Sequence, residues 1–154
     1  MELDFTQPET QGEPYDPTVA QKCFKTLGKQ EIFSEKERIF TEDQVSDKIY
    51  LVQEGEISLM RHNKTIDIVK PGEIFGELAL ITQQPRAASA VARTVSRVLV
   101  LDVKQFQQAI QATPEFALML MNIMIHRLRL TLALMKQTAS LPSLDDRDEL
   151  KVFD

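Results

Sequence analysis

The stretch IYLVQEGEISLM, residues 49–60, decides the fold. Its apolar side chains alternate with others at period-two spacing on both sides of a glycine, at Ile49, Leu51, Ile57 and Leu59. Such alternation is typical of β-strands that turn one face toward a core. We therefore predict two strands joined in a hairpin at Glu54-Gly55, a pair of residues suited to a turn.

Further short β-prone runs lie on both sides of this stretch, from residue 31 onward. They are IFSEKERIF (32–40), TIDIV (65–69), SAVA (89–92) and VLVLDV (98–103). Turn residues such as Pro71-Gly72 separate them, and Ile66 and Ile68 share the face that is predicted to meet the core. Many short strands without long helices between them predict a mainly β fold, an antiparallel sandwich or barrel with flanking helices.

Helices are predicted before and after these strands. Asp16-Pro17 can cap a short helix that ends before Gly28, and Asp102 can cap a second helix over 103–112. Pro114 then opens a long apolar helix that runs to about residue 139. We expect a flexible acidic N-terminal segment (1–17), a β-barrel with short helices (18–113), a long C-terminal helix (114–139) and an acidic tail (140–154).

The long helix carries an apolar seam whose members are spaced alternately by three and four residues. They are Leu118, Met121, Ile125, Leu128, Leu132, Met135 and Ala139. This is a heptad pattern, and a helix of that length extends ~39 Å, longer than a small barrel can cover. The seam predicts a parallel homodimer. The alternative is a single amphipathic helix that lies on its own domain.

Composition limits the classes of function. The chain of 154 residues is 43% apolar and 27% charged, which fits one globular domain and excludes a disordered or fibrous protein. Since no apolar run is long enough to cross a membrane and no secretion signal precedes the domain, we expect no membrane partner. The lone Cys23 fits a reducing compartment, and we expect a cytoplasmic protein. The chain has a net charge of −5 and lacks the strongly basic stripe that is typical of nucleic-acid-binding proteins.

The segment PGEIFGELALITQQPRAASAVA, residues 71–92, carries the chemistry. Gly76 allows a sharp turn or a close approach, and the residues after it can begin a short helical turn whose first amides lack internal partners. Arg86 follows Glu77 by nine residues, and small side chains come after it at Ala87, Ala88 and Ser89. A guanidinium offers paired donors to phosphate oxygens, whereas a carboxylate suits a hydroxyl and repels phosphate. This pattern fits a nucleotide with a single negative phosphate. The alternative is a Glu77–Arg86 surface salt bridge without a ligand.

The run FGELALITQQPRAASAVA (75–92) resembles the phosphate-binding cassette of the cyclic nucleotide-binding domain family. The resemblance extends to ERIFTEDQVSDKIYLVQEGEISLM (37–60) and IVKPGEIFGE (68–77), and covers residues 33–129. This part of the sequence is similar to the cAMP-binding domains of protein kinase regulatory subunits and of catabolite activator-like proteins. The resemblance implies a jelly-roll barrel with flanking helices and a role in signal transduction as an allosteric regulator.

The resemblance also implies roles for individual residues. Glu77 matches the glutamate that binds the ribose 2′-hydroxyl, and Arg86 matches the arginine that binds the cyclic phosphate. The family's surrounding backbone positions correspond to Gly76, Leu78, Ala79, Ala87 and Ala88. Ser89 falls where a hydroxyl can contact the base or the phosphate, and residues 122–129 are candidates to cover the base. Because Ala87 stands where relatives that prefer cGMP commonly have threonine, we expect cAMP as the ligand, with cGMP less favoured.

This chain departs from the family's pattern at three loop positions. Lys36 and Asp43 stand where glycines are usual, and Ser46 replaces a glycine that often precedes the aspartate matched by Asp47. Asparagine and aspartate tolerate a positive φ better than lysine does. These replacements concern the geometry of the loops more than the ligand site.

We expect a stand-alone sensor that rearranges its C-terminal helix when the nucleotide binds, and so changes the surface shown to an unknown effector protein. The alternatives are a ligand-independent interaction module of the same fold and a regulatory partner of a separate transcription or signalling protein. The 15 residues after Ala139 are too few for a DNA-binding module. An enzyme is not expected, because two histidines and one cysteine predict neither a metal site nor a catalytic nucleophile.

Overall fold

The computed structural model describes residues 17–138 of the chain. The two acidic end segments predicted from the sequence lie outside the described residues, apart from Pro17. The described residues fall into two compact units, 17–117 and 118–138, which are treated separately below.

The first unit contains eight strands and three helices, and the helix of the second unit begins in it. In chain order the elements are α1 (Pro17–Leu27), β1 (Lys29–Phe33), β2 (Arg38–Phe40), β3 (Lys48–Glu54), β4 (Ile57–Arg61), β5 (Lys64–Val69), β6 (Ile74–Phe75), α2 (Glu77–Thr82), β7 (Ser89–Ala92), β8 (Ser96–Asp102), α3 (Val103–Ala112) and α4 (Glu115–Thr138). The predicted capping of α3 is confirmed, since Asp102 and Gln105 form a reciprocal capping box.

The strands form two four-stranded antiparallel sheets, with the orders β1-β8-β3-β6 and β2-β7-β4-β5. The buried core between them contains side chains from both sheets, among them Tyr50, Val98, Ile57 and Val69. This confirms the predicted mainly β fold with flanking helices. The sheets share no ladder, so the jelly-roll-like arrangement is a sandwich whose barrel is not closed.

The predicted hairpin at Gly55 is wrong. β3 pairs with β6 and β8, whereas β4 pairs with β5 and β7, so the chain passes from one sheet to the other between them. Gly55 has a φ of +87° at this crossing, and an added Cβ would lie 2.4 Å from the Ser96 side chain. The period-two pattern identified both strands correctly. Alternation shows which face of a strand is apolar, but it does not show which neighbouring strand pairs with it.

Strand β3 is buried on both of its faces. Tyr50 and Val52 belong to the core between the sheets. Ile49 and Leu51 point to the opposite face, as alternation along a strand requires, and are also buried. Helix α1 packs against β3 and β8.

Strand β5 lies at an edge of its sheet, and its pattern corrects another expectation. Ile66 is 60% exposed, so it does not face the core as its alternation with Asp67 suggested. The edge strand instead contributes Val69, which is fully buried. A hairpin joins β4 to β5 through His62 and Asn63, both of which have a positive φ.

Three aromatic rings join the helices of the first unit. Phe116, at the start of α4, meets Phe24 of α1 and Phe106 of α3 edge to face, with ring centroids 6.0 and 5.9 Å apart. Edge-to-face pairs of this kind each stabilise the fold by ~0.5–1.5 kcal/mol beyond the buried area. They fix the first turn of α4 against the helices that flank the sandwich.

Candidate functional site

The candidate site is formed where the loops after β2 and after α2 meet. Helix α2 begins after Gly76, which adopts a left-handed conformation with a φ of +82°, and ends at Gln83, which is also left-handed. The chain then runs without regular structure to β7. The short helical turn that the sequence predicts after Gly76 is confirmed, and it places Glu77 and Arg86 at the two ends of one compact loop segment.

The Arg86 side chain enters the protein and is only 2% exposed. Its Nη1 donates to the Gly76 carbonyl at 2.7 Å, and its Nη2 donates to Ser46 Oγ at 2.6 Å and to the Lys48 carbonyl at 2.8 Å. Its Cζ lies 4.0 Å from the centroid of the Phe40 ring, a cation–π geometry. The guanidinium is therefore held from several directions at once.

One donor of this guanidinium has no hydrogen-bond partner among residues 17–138. Arg86 Nε is buried and forms no hydrogen bond with any described residue. Leaving a buried donor unsatisfied costs ~1–3 kcal/mol, and more next to a charge. The site therefore has an unused N–H group that an acceptor could satisfy.

The surroundings of Arg86 act on its charge in opposite directions. Burial lowers the pKa of the Arg86 guanidinium, while Tyr50, Glu77 and Asp47 raise it. Burial likewise raises the pKa of Tyr50, against the effect of Arg86. Arginine stays protonated in proteins, so a permanent positive charge is present in this interior.

Glu77, the first residue of α2, is 4% exposed. It lies close enough to Arg86 for its charge to raise the arginine's pKa. Because both side chains are buried, the alternative of a surface salt bridge does not describe them. Buried charged groups whose pKa is shifted by burial and by a charged neighbour are found preferentially at functional sites.

Main-chain hydrogen bonds fasten the Arg86 loop to the loop after β2. The Arg86 amide donates to the Gln44 carbonyl, and the Asp43 amide donates to the Arg86 carbonyl, both at 2.8 Å. The Glu42 amide donates to Ser89 Oγ at 2.9 Å. The backbone that carries the guanidinium is therefore fixed independently of its side chain.

The departures from the family's glycine pattern have a structural counterpart. Lys36 and Asp43 have φ values of +69° and +68°, the left-handed region that favours glycine. Each non-glycine residue there carries a strain of ~1–2 kcal/mol, less for aspartate. The loops keep the conformation that glycine would favour, and Asp43 in this conformation donates its amide to Arg86.

Gly76 is required by the position of Arg86. A Cβ at residue 76 would lie 2.9 Å from Arg86 Nη1 and 3.2 Å from the Tyr50 ring. Since real Cβ atoms rarely come so close, a side chain here would displace the guanidinium. The absence of a side chain allows the Gly76 carbonyl and the arginine to meet.

The other predicted ligand residues lie around this pair with different exposure. Leu78 and Ala87 are exposed, Ala88 is half-buried, and Ala79 is buried. Ser89 is buried, and its oxygen already accepts the Glu42 amide. The eight predicted residues thus lie in one continuous segment, but only Gly76, Glu77 and Arg86 are seen here to act on one another.

Sequence reasoning missed the residues that surround the guanidinium from elsewhere in the chain. Phe40 and Tyr50 supply ring contacts, and Ser46 and the Lys48 carbonyl supply acceptors. The replacement of glycine by Ser46 was visible in the sequence, but nothing in the spacing connects it with Arg86, 40 residues further along.

Among residues 17–138 no group of three or more histidine, cysteine or acidic side chains could hold a metal ion. No helix in this part of the chain is both long enough and apolar enough to cross a membrane.

Comparison with known proteins assigns the chain to a family. Residues 30–113, more than half of the chain, match the model of the cyclic nucleotide-binding domain. The chain belongs to the cyclic nucleotide-binding domain family, which confirms the resemblance recognised in the sequence.

Individual relatives agree with this assignment. The cyclic AMP receptor protein of Thermus thermophilus is 30% identical over 103 residues, which cover 64% of this chain and 48% of the relative. The cAMP-dependent protein kinase type II regulatory subunit of Drosophila melanogaster is 36% identical over 77 residues, 47% of this chain and 20% of that protein. The chain therefore spans about half, or less, of the length of these curated relatives.

A solved structure shares the fold. The crystal structure of the Thermus thermophilus catabolite activator protein superposes with a TM-score of 0.72 and 25% sequence identity, over 80% of this chain and 60% of that one.

Proposed function

We propose that this chain is a cyclic nucleotide sensor whose ligand is cAMP. The observation that carries the proposal is the buried Arg86 guanidinium, whose Nε has no partner among the described residues. A cyclic phosphate has two unesterified oxygens that share one negative charge. One of these oxygens can accept from Nε while the charge of the phosphate balances that of the arginine.

In this proposal Glu77 binds the sugar. A carboxylate accepts hydrogen bonds from hydroxyl groups, and the ribose of cAMP presents its 2′-hydroxyl next to the cyclic phosphate. Glu77 and Arg86 are close enough to interact electrostatically, which supports a ligand that bears a hydroxyl and a phosphate side by side. Backbone at Gly76, Leu78, Ala79, Ala87 and Ala88 is proposed to enclose these groups, and Ser89 to contact the phosphate or base.

The preference for cAMP over cGMP rests on Ala87. Its methyl group has no hydroxyl to offer the guanine amino group, and it is exposed beside Arg86. The two curated relatives described above are named for cAMP, which supports the same choice, while a cGMP-dependent protein kinase of Drosophila melanogaster is 36% identical over 78 residues.

We further propose that the sensor acts through α4 on a partner protein, and that it does so as a homodimer in the cytoplasm rather than as an enzyme. Five members of the heptad seam are between 51% and 59% exposed, namely Leu118, Met121, Ile125, Leu128 and Leu132. Exposed apolar side chains at heptad spacing favour a second helix as their partner. A nucleotide shifts α4 only by its difference in affinity between two arrangements, commonly 1–3 kcal/mol.

A second candidate is a ligand-independent interaction module. It is favoured by one observation: the Nη groups of Arg86 already donate to Gly76, Ser46 and Lys48. If these internal acceptors served only the architecture, Arg86 would stabilise the loop and bind nothing.

A thermal-unfolding screen separates the two candidates. The full chain is heated with cAMP, with cGMP, with cyclic dinucleotides and with 5′-AMP as the uncyclised control. At 100 times its Kd a ligand stabilises the folded state by ~2.7 kcal/mol, a shift of several degrees. The sensor proposal predicts the largest shift for cAMP. Equal unfolding temperatures with and without every cyclic nucleotide would favour the interaction module.

A further inference from the structure

A second cleft lies on the outer face of the first sheet, away from the candidate nucleotide site. It has a volume of about 380 Å³ and is bounded by α1, by the outer faces of β3 and β8, and by the Pro71-Gly72 turn. The volume is within the range of small-molecule sites. None of the residues proposed to bind the nucleotide lines this cleft, so an inference about the cleft does not depend on the proposed function.

Two buried polar atoms in the wall of this cleft have no hydrogen-bond partner. Gln53 Oε1 and Arg97 Nε are buried, and neither is bonded to any of the described residues. The only other such side-chain atom among the described residues is Arg86 Nε, in the nucleotide site. Since folded proteins rarely leave buried polar groups unpaired, two of them in one cleft mark a place for a bound polar molecule.

The charges around the cleft select the kind of molecule. Lys25 of α1 and Arg97 of β8 are both cationic and both line it. The one acid in its wall, Glu54, accepts from Arg97 Nη1 at 3.4 Å, which leaves the Nε of the same guanidinium available. Lys25 forms no ion pair with any of the described residues, so its ammonium gives the cleft a net positive charge. A Cβ added at Gly72 would meet no atom of the described residues within 4 Å, so none of these residues fills the turn side of the cleft.

From these observations we infer that this cleft binds a small phosphate-class oxyanion that keeps an O–H group at neutral pH, namely hydrogenphosphate or dihydrogenphosphate. An anionic oxygen accepts from Arg97 Nε and is attracted by Lys25. The O–H group donates to Gln53 Oε1. Sulfate has no proton at neutral pH, so it satisfies the arginine but leaves the Gln53 oxygen unpaired.

The test is an NMR titration of the full chain with inorganic phosphate and, separately, with sodium sulfate at matched ionic strength. Saturable shifts are expected at the backbone amides of Gln53, Gly72 and Arg97, with a Kd in the millimolar range or below and at least five-fold weaker binding of sulfate. Absence of saturable shifts at these amides would mean that only water occupies the cleft and would overturn the inference.

Matched variants identify the site. Arg97→Met should remove the phosphate-dependent shifts, whereas Arg93→Met should keep them, because Arg93 forms a similar surface pair with Glu56 at 3.2 Å outside the cleft. Gln53→Leu should remove the preference for phosphate over sulfate while the fold is kept. Shifts that persist in Arg97→Met would contradict the assignment.

Phosphate titration of the Arg86→Lys variant distinguishes binding in this cleft from binding in the nucleotide site. In Arg86→Lys, phosphate should still shift the Gly72 and Gln53 amides, even if cAMP no longer binds. Loss of those shifts in Arg86→Lys would place the phosphate in the nucleotide site and overturn the second site. If the protein failed to bind cAMP but these phosphate-dependent shifts were still observed, the cleft would be supported and only the proposed function would be contradicted.

Discussion

The Arg86 guanidinium donates from its two Nη groups to acceptors on three residues, Gly76, Ser46 and Lys48, while its Nε donates to none of the described residues. Two of these acceptors are main-chain carbonyls, held in place by β3 and by the turn at Gly76. The third is the hydroxyl of Ser46, which can rotate about one bond. Among the three, Ser46 is the acceptor that a phosphate can replace without moving backbone.

Ser46→Ala should therefore change the free and the bound protein differently. Without the hydroxyl, Nη2 loses one acceptor, and we expect the unliganded fold to lose ~1–2 kcal/mol. A bound phosphate supplies the missing acceptor, so calorimetry should show cAMP binding several-fold tighter than in the wild type. Weaker binding, comparable to that of an Arg86 variant, would show that the hydroxyl contacts the ligand directly.

Glu77→Ala should weaken cAMP binding by ~1.5–3 kcal/mol, because a charge-assisted hydrogen bond to the ribose is lost. The same substitution should change the affinity for 2′-deoxy-cAMP much less, since that ligand has no 2′-hydroxyl. Calorimetry with both ligands on both proteins gives the coupling energy directly. Equal losses for the two ligands would place Glu77 elsewhere than at the ribose.

At this scale the sequence indicated Glu77 and Arg86 correctly as neighbours, because both lie in one motif. It could not indicate that Phe40, Ser46 and Tyr50 surround the guanidinium. Those residues are brought there by sheet pairing between distant segments, and neither their spacing nor their type carries that information.

At the scale of elements, the segment from β6 to β7 depends on a left-handed residue before α2. Gly76 and Gly72 have nearly equal φ values of +82° and +88°, but only at Gly76 would a Cβ meet the arginine. Substituting each of the two glycines therefore distinguishes the effect of backbone strain from the effect of crowding the guanidinium.

Gly72→Ala should destabilise the fold by the backbone strain alone, ~1–2 kcal/mol, and leave cAMP binding unchanged. Gly76→Ala should destabilise it by more and also weaken cAMP binding at least ten-fold, because Arg86 Nη1 is displaced. Denaturant unfolding and calorimetry measure the two quantities. If both variants bound cAMP with wild-type affinity, the position of Arg86 would not depend on Gly76.

The positions of the strands could be predicted from the sequence, whereas their pairing could not. Alternation located β3, β4 and β5, and capping residues located the starts of α1 and α3. The strand pairing around Gly55 was predicted wrongly, since a turn that changes sheets and a turn that closes a hairpin use the same residues. Burial of four successive residues in β3, from Ile49 to Val52, shows that this strand is covered on both faces.

At the scale of the whole molecule, the heptad seam of α4 bears on assembly. The exposed side chains repeat every three or four residues from Leu118 to Leu132. The side chain of Met135 and the whole of Ala139, the last two members of the predicted seam, lie outside what the structure describes. An apolar stripe in this position is expected to be covered by an equivalent stripe of a second copy.

Ile125→Glu should convert the proposed dimer into a monomer, because it places a carboxylate in the centre of the seam. Asn122→Glu is the matched control, since Asn122 is exposed on the same helix but outside the seam. Solution scattering at tens of micromolar gives the mass of each. A wild-type protein with the mass of one chain would contradict the dimer.

The nucleotide is expected to change α4 as well. Hydrogen–deuterium exchange over residues 114–139 should differ between the free protein and the protein saturated with cAMP, since coupling between the site and the helix requires two arrangements of unequal affinity. Identical exchange in the two states would mean that the ligand does not act through this helix.

The binding of cAMP by Arg86 is tested most directly by titration calorimetry of cAMP into the wild type and into Arg86→Leu. The account predicts saturable binding with one nucleotide per chain in the wild type. In the variant the loss should be ~1.5–3 kcal/mol, which is about 10- to 150-fold in Kd. Equal affinities in the two proteins, with both confirmed as folded, would contradict it.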